Sequence, residues 1–253
     1  MYRKKIADLL LVIVLAASLT GCSSARRSRT PGDDAVVATG SYLYSDIYAN
    51  NISNSGFFIS KARLEILVDG SIQTFTASVR KDSSGKWLAS IRSFAGIEVM
   101  RAYADLDEVV ILDRLGRDAT VLGWDELRRN FGLSYDILPV LVGDIPEINI
   151  EGRSRIKCGS LNRISSGSLS IRLMADCAIL RPSTMILTDS GNGREITVNA
   201  GQFSSVGGVD YSSVIEVLEK SGLFHVKLNI DNLEVPWIGE VEFSIPSNYK
   251  RNR

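Results

Sequence analysis

The stretch Lys61-Ala62-Arg63-Leu64-Glu65-Ile66-Leu67-Val68-Asp69-Gly70, continued by Ser71-Ile72-Gln73-Thr74-Phe75-Thr76-Ala77-Ser78-Val79-Arg80, decides the fold class. Ala62, Leu64, Ile66 and Val68 alternate with Lys61, Arg63, Glu65 and Asp69, the period of two that gives a strand one apolar face. Asp69-Gly70 reads as a turn, after which Phe75, Ala77 and Val79 alternate with Thr74, Thr76, Ser78 and Arg80. Trp87, Ala89 and Ile91 repeat the pattern against Lys86, Ser90 and Arg92. One apolar and one polar face per strand is the mark of an antiparallel sheet that covers a core or cavity on one side, not of the doubly buried strands of a parallel α/β enzyme.

Working outward, a bend at Phe94-Ala95-Gly96 precedes predicted strands over 97–104, 108–113 and 119–122. Trp124, Leu127 and Phe131 then fall at helical spacing, with Asp125 and Glu126 in the first turn, where the helix dipole favours acids, and Gly132 just past the end. Residues 137–142, with Pro139 near the start and Gly143 behind them, predict a second short helix, so a helical pair interrupts two runs of strands. Tyr44, Ile47 and Tyr48 predict a short helix at the beginning of the domain. The second run covers 155–165, 169–178, 185–188, 195–203, 224–233 and 238–245, while Val214, Val217 and Leu218 lie on one stripe and predict another short helix within 206–222. The fold class is mainly β, with about 10–11 strands in one sheet able to curl on itself.

At the N-terminus, Tyr2, Arg3, Lys4 and Lys5 precede an apolar run over 6–19 broken only by Asp8, a secretory signal too short to span a membrane comfortably. Leu19-Thr20-Gly21-Cys22 follows it, the lipobox pattern, in which small residues admit a peptidase to the bond before Cys22 and the thiol takes a lipid. The chain therefore divides into a signal peptide over 1–21, a lipidated Ser/Arg/Pro/Gly-rich tether over 22–40, a β domain over 41–249 and a basic tail over 250–253. Removing 1–21 takes away three cations and one anion, moving the formal charge from 0 to about −2, and nothing reads as a nucleic-acid binder. A single histidine, His225, and cysteines without a CxxC leave no metal site and no cofactor beyond the covalent lipid on Cys22. Asp105 and Asp107 read as turn residues, and no nucleophile, base and orienting acid assemble, so the chain is expected not to be an enzyme.

The dipeptide Gly167-Ser168 suits a tight hairpin that pairs 166 with 169 and 164 with 171, and so sets Cys158 opposite Cys177 at about 5.5 Å between Cα atoms, within disulfide reach. A compartment outside the cytoplasm permits that bond, and a slip of one residue in register would prevent it. Glu98 and Arg101, three apart on a strand, point to opposite faces and read as two separately solvated charges.

The segment from Trp87 through Phe94-Ala95-Gly96-Ile97-Glu98-Val99, then Asp113-Arg114-Leu115-Gly116-Arg117, the 124–131 helix and Leu138-Pro139-Val140-Leu141-Val142-Gly143, resembles LolB, the outer-membrane lipoprotein receptor family of the Lol pathway. Arg181-Pro182-Ser183-Thr184-Met185 and Gly193-Arg194-Glu195-Ile196 resemble its later strands, so the likeness runs in order over most of 60–205. It implies a half-open antiparallel β-barrel whose short helices close an apolar cavity, accepting the acyl chains of lipoproteins from a soluble periplasmic LolA-type carrier. Lining residues are then Leu64, Ile66, Phe75, Val79, Trp87, Ile91 and Val99, with Leu127, Phe131, Leu138 and Leu141 on the helical lid. The family also bears an exposed leucine in the loop that here reads Phe94-Ala95-Gly96; alignment on Gly96 puts Ala95 in its place, so a role in entering outer-membrane lipid moves to Phe94, unless Phe94 folds back to plug the mouth. Ser23 after the anchor is unlike the inner-membrane retention signal, which implies the outer membrane, and no acidic cluster of the kind that marks surface export follows Cys22, which implies its periplasmic face. The expected protein is a monomer; the alternative is an accessory envelope lipoprotein with the same fold and no lipid ligand.

Overall fold

The computed structural model describes residues 40–252 apart from 69, 132, 149–153, 192 and 223, so the signal peptide, Cys22 and the tether up to residue 39 lie outside the described residues. The domain opens with β1 (Ser41–Leu43), α1 (Tyr44–Ala49) and a 3-10 turn (Ile52–Asn54). An up-and-down meander follows: β2 (Phe57–Val68), β3 (Ser71–Lys81), β4 (Trp87–Arg92), β5 (Glu98–Ala104), β6 (Glu108–Asp113) and β7 (Asp118–Gly123). Leu64 faces Phe75 and Ala62 faces Ala77 across the β2–β3 ladder, as the alternation from Lys61 predicts. The expected helical pair interrupts the strands as α2 (Trp124–Phe131) and a 3-10 helix (Tyr135–Val142). β8 (Arg155–Lys157) pairs with β1, and a second meander runs through β9 (Asn162–Ser166), β10 (Leu169–Asp176), β11 (Arg181–Asp189), β12 (Glu195–Val206), β13 (Val209–Glu219) and β14 (His225–Glu234), with β15 (Lys250–Asn252) last.

The main sheet holds thirteen described strands, more than the expected number, in the order β15-β7-β6-β5-β4-β3-β2-β14-β13-β12-β11-β10-β9. β14 lies beside β2, Leu228 opposite Leu64, so the two meanders join in the middle of the sheet. The sheet curls but does not close: β9 and β15 are its edges. All neighbours are antiparallel except β15 and β7.

Three stretches differ from their expected form. The stripe Val214, Val217 and Leu218 is strand, not helix: Tyr211, Ile215 and Val217 keep the inward parity of β13, Val217 pairs with Val198, and Val214 and Leu218 lie on the other face, so apolar residues on both faces of one strand mimic a helical spacing. Residues 155–165 are split between β8 and β9 by a turn. Residues 238–245 alternate but join no ladder; they cross the convex face of β4–β7, where Val241, Phe243 and Ile245 cover Leu88, Tyr103, Val110 and Leu112. Phe243 stacks on Tyr103 with centroids 4.5 Å apart. The basic tail begins with β15, Lys250 opposite Asp118.

Asp82 pins this C-terminal segment. Its Oδ2 accepts the Val241 amide at 3.0 Å, while Oδ1 accepts the amides of Ser84 at 2.9 Å and Lys86 at 3.0 Å. Burial alone would raise the Asp82 carboxyl, but hydrogen bonds from Ser84, Val241 and Lys86 outweigh it and hold it below the usual range. The folded value lies below the unfolded one, about 3.9, so the stabilisation is present above that unfolded value and fades as pH falls through the folded one. Melting temperatures followed through the acid range are expected to fall less steeply for Asp82→Asn than for the parent; superimposable acid flanks would remove Asp82 from the account.

The hairpin at Gly167-Ser168 has the expected register, with Ser166 opposite Leu169 and Ile164 opposite Ile171. Its ladder ends at Asn162 and Leu173. Cys158 reaches Cys177 from the turn before β9, and the two are disulfide-bonded with Cα atoms 5.7 Å apart. A bridge across a separation of 19 residues stabilises by about 3 kcal/mol in the loop-entropy account. A Cys158→Ser/Cys177→Ser variant should lose that amount in urea denaturation, and two reactive thiols from these positions in the denatured, non-reduced parent would contradict the bond.

Candidate functional site

The concave face of the sheet and the helices share one apolar cluster. Ile47 of α1, Ile52, Leu127 of α2, and Val140 and Val142 of the 3-10 helix pack against the inward residues of both meanders. Of the predicted lining, Leu64, Trp87 and Leu127 are buried, and Ile66, Phe75, Val79, Ile91 and Leu138 are half-buried against the same cluster. Leu141 is not part of it: Val140 and Val142 take the inward positions and leave Leu141 47% exposed. Val99 sits in a β-bulge of β5 and belongs to neither apolar cluster. The side chain of Phe131 lies outside what is described. Each fully buried aliphatic or aromatic side chain here stabilises by about 1.5–3 kcal/mol, so these positions act as core while the helices are seated.

A buried ion pair that no local pattern marks holds that lid. Arg181, at the start of β11, sends Nη2 to Asp144 Oδ1 at 2.6 Å and to the Gly143 carbonyl at 3.2 Å, and Nη1 to the Asn50 carbonyl at 2.6 Å. Asp144 also accepts the amides of Ile52 at 3.2 Å and Ser53 at 2.8 Å. Beside it, the Asn51 side chain donates to the Ile145 carbonyl at 2.7 Å and accepts the Ile145 amide at 3.2 Å. The Tyr44 hydroxyl donates to the Pro146 carbonyl at 2.7 Å, and burial pushes that phenol up. Gly143, at φ +77°, passes so close to β13 that a Cβ would come within 3.3 Å of Ile215 and Ser212. The entry helix, the end of the lid and β11 thus meet at one desolvated point, where the charges are tolerated only as a pair.

A cleft of about 350 Å³ opens between the lid and the β9–β10 turn, near the lower end of ligand pockets, about 300–1,000 Å³. Ile137, Ile148, Leu169 and Leu187 supply its apolar walls, and Arg128, Asp136, Glu147 and Asp189 its polar ones. Among the described residues no helix is long and apolar enough to cross a membrane, and no group of His, Cys, Asp and Glu is placed to hold a metal.

The hairpin turns β2–β3, β4–β5 and β6–β7 project from one end of the sheet, since antiparallel strands return to the same end at every second turn. Phe94, on the middle turn, is fully exposed at 102% and does not fold back into the mouth. The turn is closed by the Ser93 amide on the Ile97 carbonyl at 2.8 Å and the Gly96 amide on the Ser93 carbonyl at 2.9 Å. Gly96 takes φ +80°, a left-handed conformation that disfavours Cβ-bearing residues. Ile97, and Leu67, Ile72 and Leu115 on or beside the flanking turns, are exposed as well. Glu98 and Arg101 are not separately solvated: Arg101 donates Nε and Nη2 to the two Glu98 oxygens, each at 3.0 Å, and Arg114 Nε lies 2.9 Å from Oε2. Burial alone would raise the Glu98 carboxyl; hydrogen bonds from Ser90 and Arg101 and the charges of Arg101 and Arg114 hold it low. His225 is half-buried and bonded to Glu216 at 2.7 Å, and Asp105 caps its own turn through the amides of Asp107 and Glu108.

No protein-family model matches the chain, and comparison with curated proteins finds no match. Solved structures do resemble it. A domain of an outer membrane lipoprotein-sorting protein from Vibrio parahaemolyticus aligns over 75% of this chain and 89% of its own, with a TM-score of 0.51 and 9% identity. A DUF1329 family protein from Desulfovibrio piger aligns over 75% and 91%, with a TM-score of 0.51 and 10% identity. A LolA superfamily protein from Nitrosomonas europaea covers 76% and 93%, at TM-score 0.48 and 12% identity. At such identities the likeness concerns architecture alone: the curled, unclosed antiparallel sheet with helices on its concave face is the fold shared with the Vibrio parahaemolyticus domain and the Desulfovibrio piger protein.

Proposed function

We propose that this chain is a lipid carrier of the bacterial envelope, acylated at Cys22 and facing the periplasm from the outer membrane, which takes acyl chains of lipoproteins or other lipids beneath its lid and passes them to the bilayer. The activity is non-covalent. A soluble LolA-type carrier is the natural donor, and a monomer suffices. The observation that carries the reading is Phe94: a fully exposed aromatic at the tip of a hairpin on this fold is a group that gains by entering lipid. The physical need for a lined site is plain, because each methylene moved through water costs about 0.8 kcal/mol. With the lid seated the concave face is filled by packed side chains, so acyl chains enter as the helices give way from that face.

Native mass spectrometry of the full chain, extracted gently from membranes, tests both halves. The expected result is a covalent lipid on Cys22 plus a second, non-covalent acyl chain or lipopeptide. Protein carrying only its covalent lipid in every preparation would favour an accessory envelope lipoprotein, a reading to which the well-filled concave core lends support.

A further inference from the structure

We propose that Glu98 is a positioning residue which fixes the direction in which Phe94 projects and ties that tip to the C-terminal segment; this rests on the reading of Phe94 as the group that enters lipid. The block Gly96-Ile97-Glu98-Val99-Met100-Arg101 sits at the root of the turn. In a regular strand Glu98 and Arg101 would face opposite ways, but the register jumps from Ile91 opposite Met100 to Arg92 opposite Glu98, leaving Val99 as a bulge. Bulges re-aim the strand that carries them, and this one brings both charges to the convex face.

There the Glu98 carboxylate, 13% exposed, gathers donors from three strands or turns: the Ser90 hydroxyl of β4, Arg101 of β5 and Arg114 of the β6–β7 turn. Arg114 extends the chain of contacts. Its backbone amide donates to the Val99 carbonyl at 3.0 Å, its Nη1 donates to the Tyr249 hydroxyl at 3.0 Å, and its guanidinium stands 5.7 Å from the centroid of the Tyr249 ring. Arg92 and Glu98 are the last ladder pair before the turn. Beyond it Phe94 packs on nothing, and two backbone hydrogen bonds close the turn on itself. The tip's orientation is therefore set at its root, by a carboxylate that keeps Arg101 and Arg114 from repelling each other. Removing the negative charge leaves two guanidinium groups facing one another and frees the hinge.

The test uses full-length protein as parent, Glu98→Gln, Phe94→Ala and the double variant, with Tyr249→Phe as a milder change that keeps the ring and removes only the hydroxyl acceptor. Amide exchange at Ser93 and Gly96 is expected to quicken about ten-fold in Glu98→Gln, and less in Tyr249→Phe, with core strands unchanged. Transfer of a fluorescent diacylated lipopeptide to phosphatidylethanolamine/phosphatidylglycerol vesicles, per folded molecule, should slow about ten-fold in Glu98→Gln and show no further loss when Phe94→Ala is already present. Unchanged exchange at the turn overturns the inference, as does an equal further loss in the Phe94→Ala background, which would mean that Glu98 acts on the body of the protein. If Phe94→Ala transfers normally, the reading of the tip falls, and the exchange arm still decides whether Glu98 braces the turn.

Discussion

Arg181→Met is expected to cost the folded protein about 3–5 kcal/mol, because it strips the partner from a carboxylate that has no access to water. Asp144 is 0% exposed, and its other contacts are two backbone amides. Against a total stability of about 5–15 kcal/mol, this single change brings the domain near its limit, and the substitution also leaves the carbonyls of Asn50 and Gly143 without their donor. Urea denaturation monitored by tryptophan fluorescence measures the loss. Adding Asp144→Leu to the same chain should return part of it, since an apolar pair avoids burying a lone charge. A loss below about 1 kcal/mol in Arg181→Met would show that the lid is held by its apolar contacts and that the ion pair is incidental. The lid helices of the surviving folded fraction are expected to exchange their amides faster than the sheet does.

Phe94→Glu is expected to leave folding and lipopeptide binding unchanged and to abolish delivery to vesicles. Nothing in the body of the protein touches Phe94, so the change falls in the class of surface substitutions worth within about 0.5 kcal/mol of stability. Burial of the same ring in hydrocarbon is worth about 1.5–3 kcal/mol, which converts to roughly ten- to a hundred-fold in membrane partition, and a carboxylate adds its own desolvation cost on entry. Transfer from loaded protein to liposomes reads the effect directly. A lowered melting temperature with normal transfer per folded molecule would assign Phe94 to the packing of the rim and end its role in delivery.

The Lys61–Arg80 alternation and the Trp124, Leu127, Phe131 spacing were enough to place an antiparallel sheet and a helical interruption, because both are local patterns along one face. The Val214, Val217 and Leu218 stripe misled because Val217 on the inward face and Val214 and Leu218 on the outward face of one strand happen to fall at helical spacing, and only pairing with β12 and β14 reveals the strand. Apolar residues on the outward parity, Leu88, Tyr103 and Leu112, are a signal that the reading of 238–245 as one more strand passed over, and 238–245 covers the convex face they mark. Two parts of the site left no local signal. Asp144 and Arg181 meet across 37 residues, and Glu98 meets Arg101 through a bulge that spacing alone rules against.

The seam between β2 and β14 joins Leu67 to His225 and Phe58 to Glu234, pairs from opposite ends of the two meanders. Every other junction within the two meanders links strands that follow one another, and hairpins of that kind close in about 1–10 μs. The seam must wait for closure entropy across both halves and the lid to be met. While the chain folds, the first meander therefore leaves the outer edge of β2 bare until β14 arrives, a row of unpaired amides and carbonyls of the sort that recruits foreign strands. Protection of this edge is a matter of timing: the ladder that completes the sheet arrives almost last, and until it does the risk to the molecule is aggregation through its own future midline.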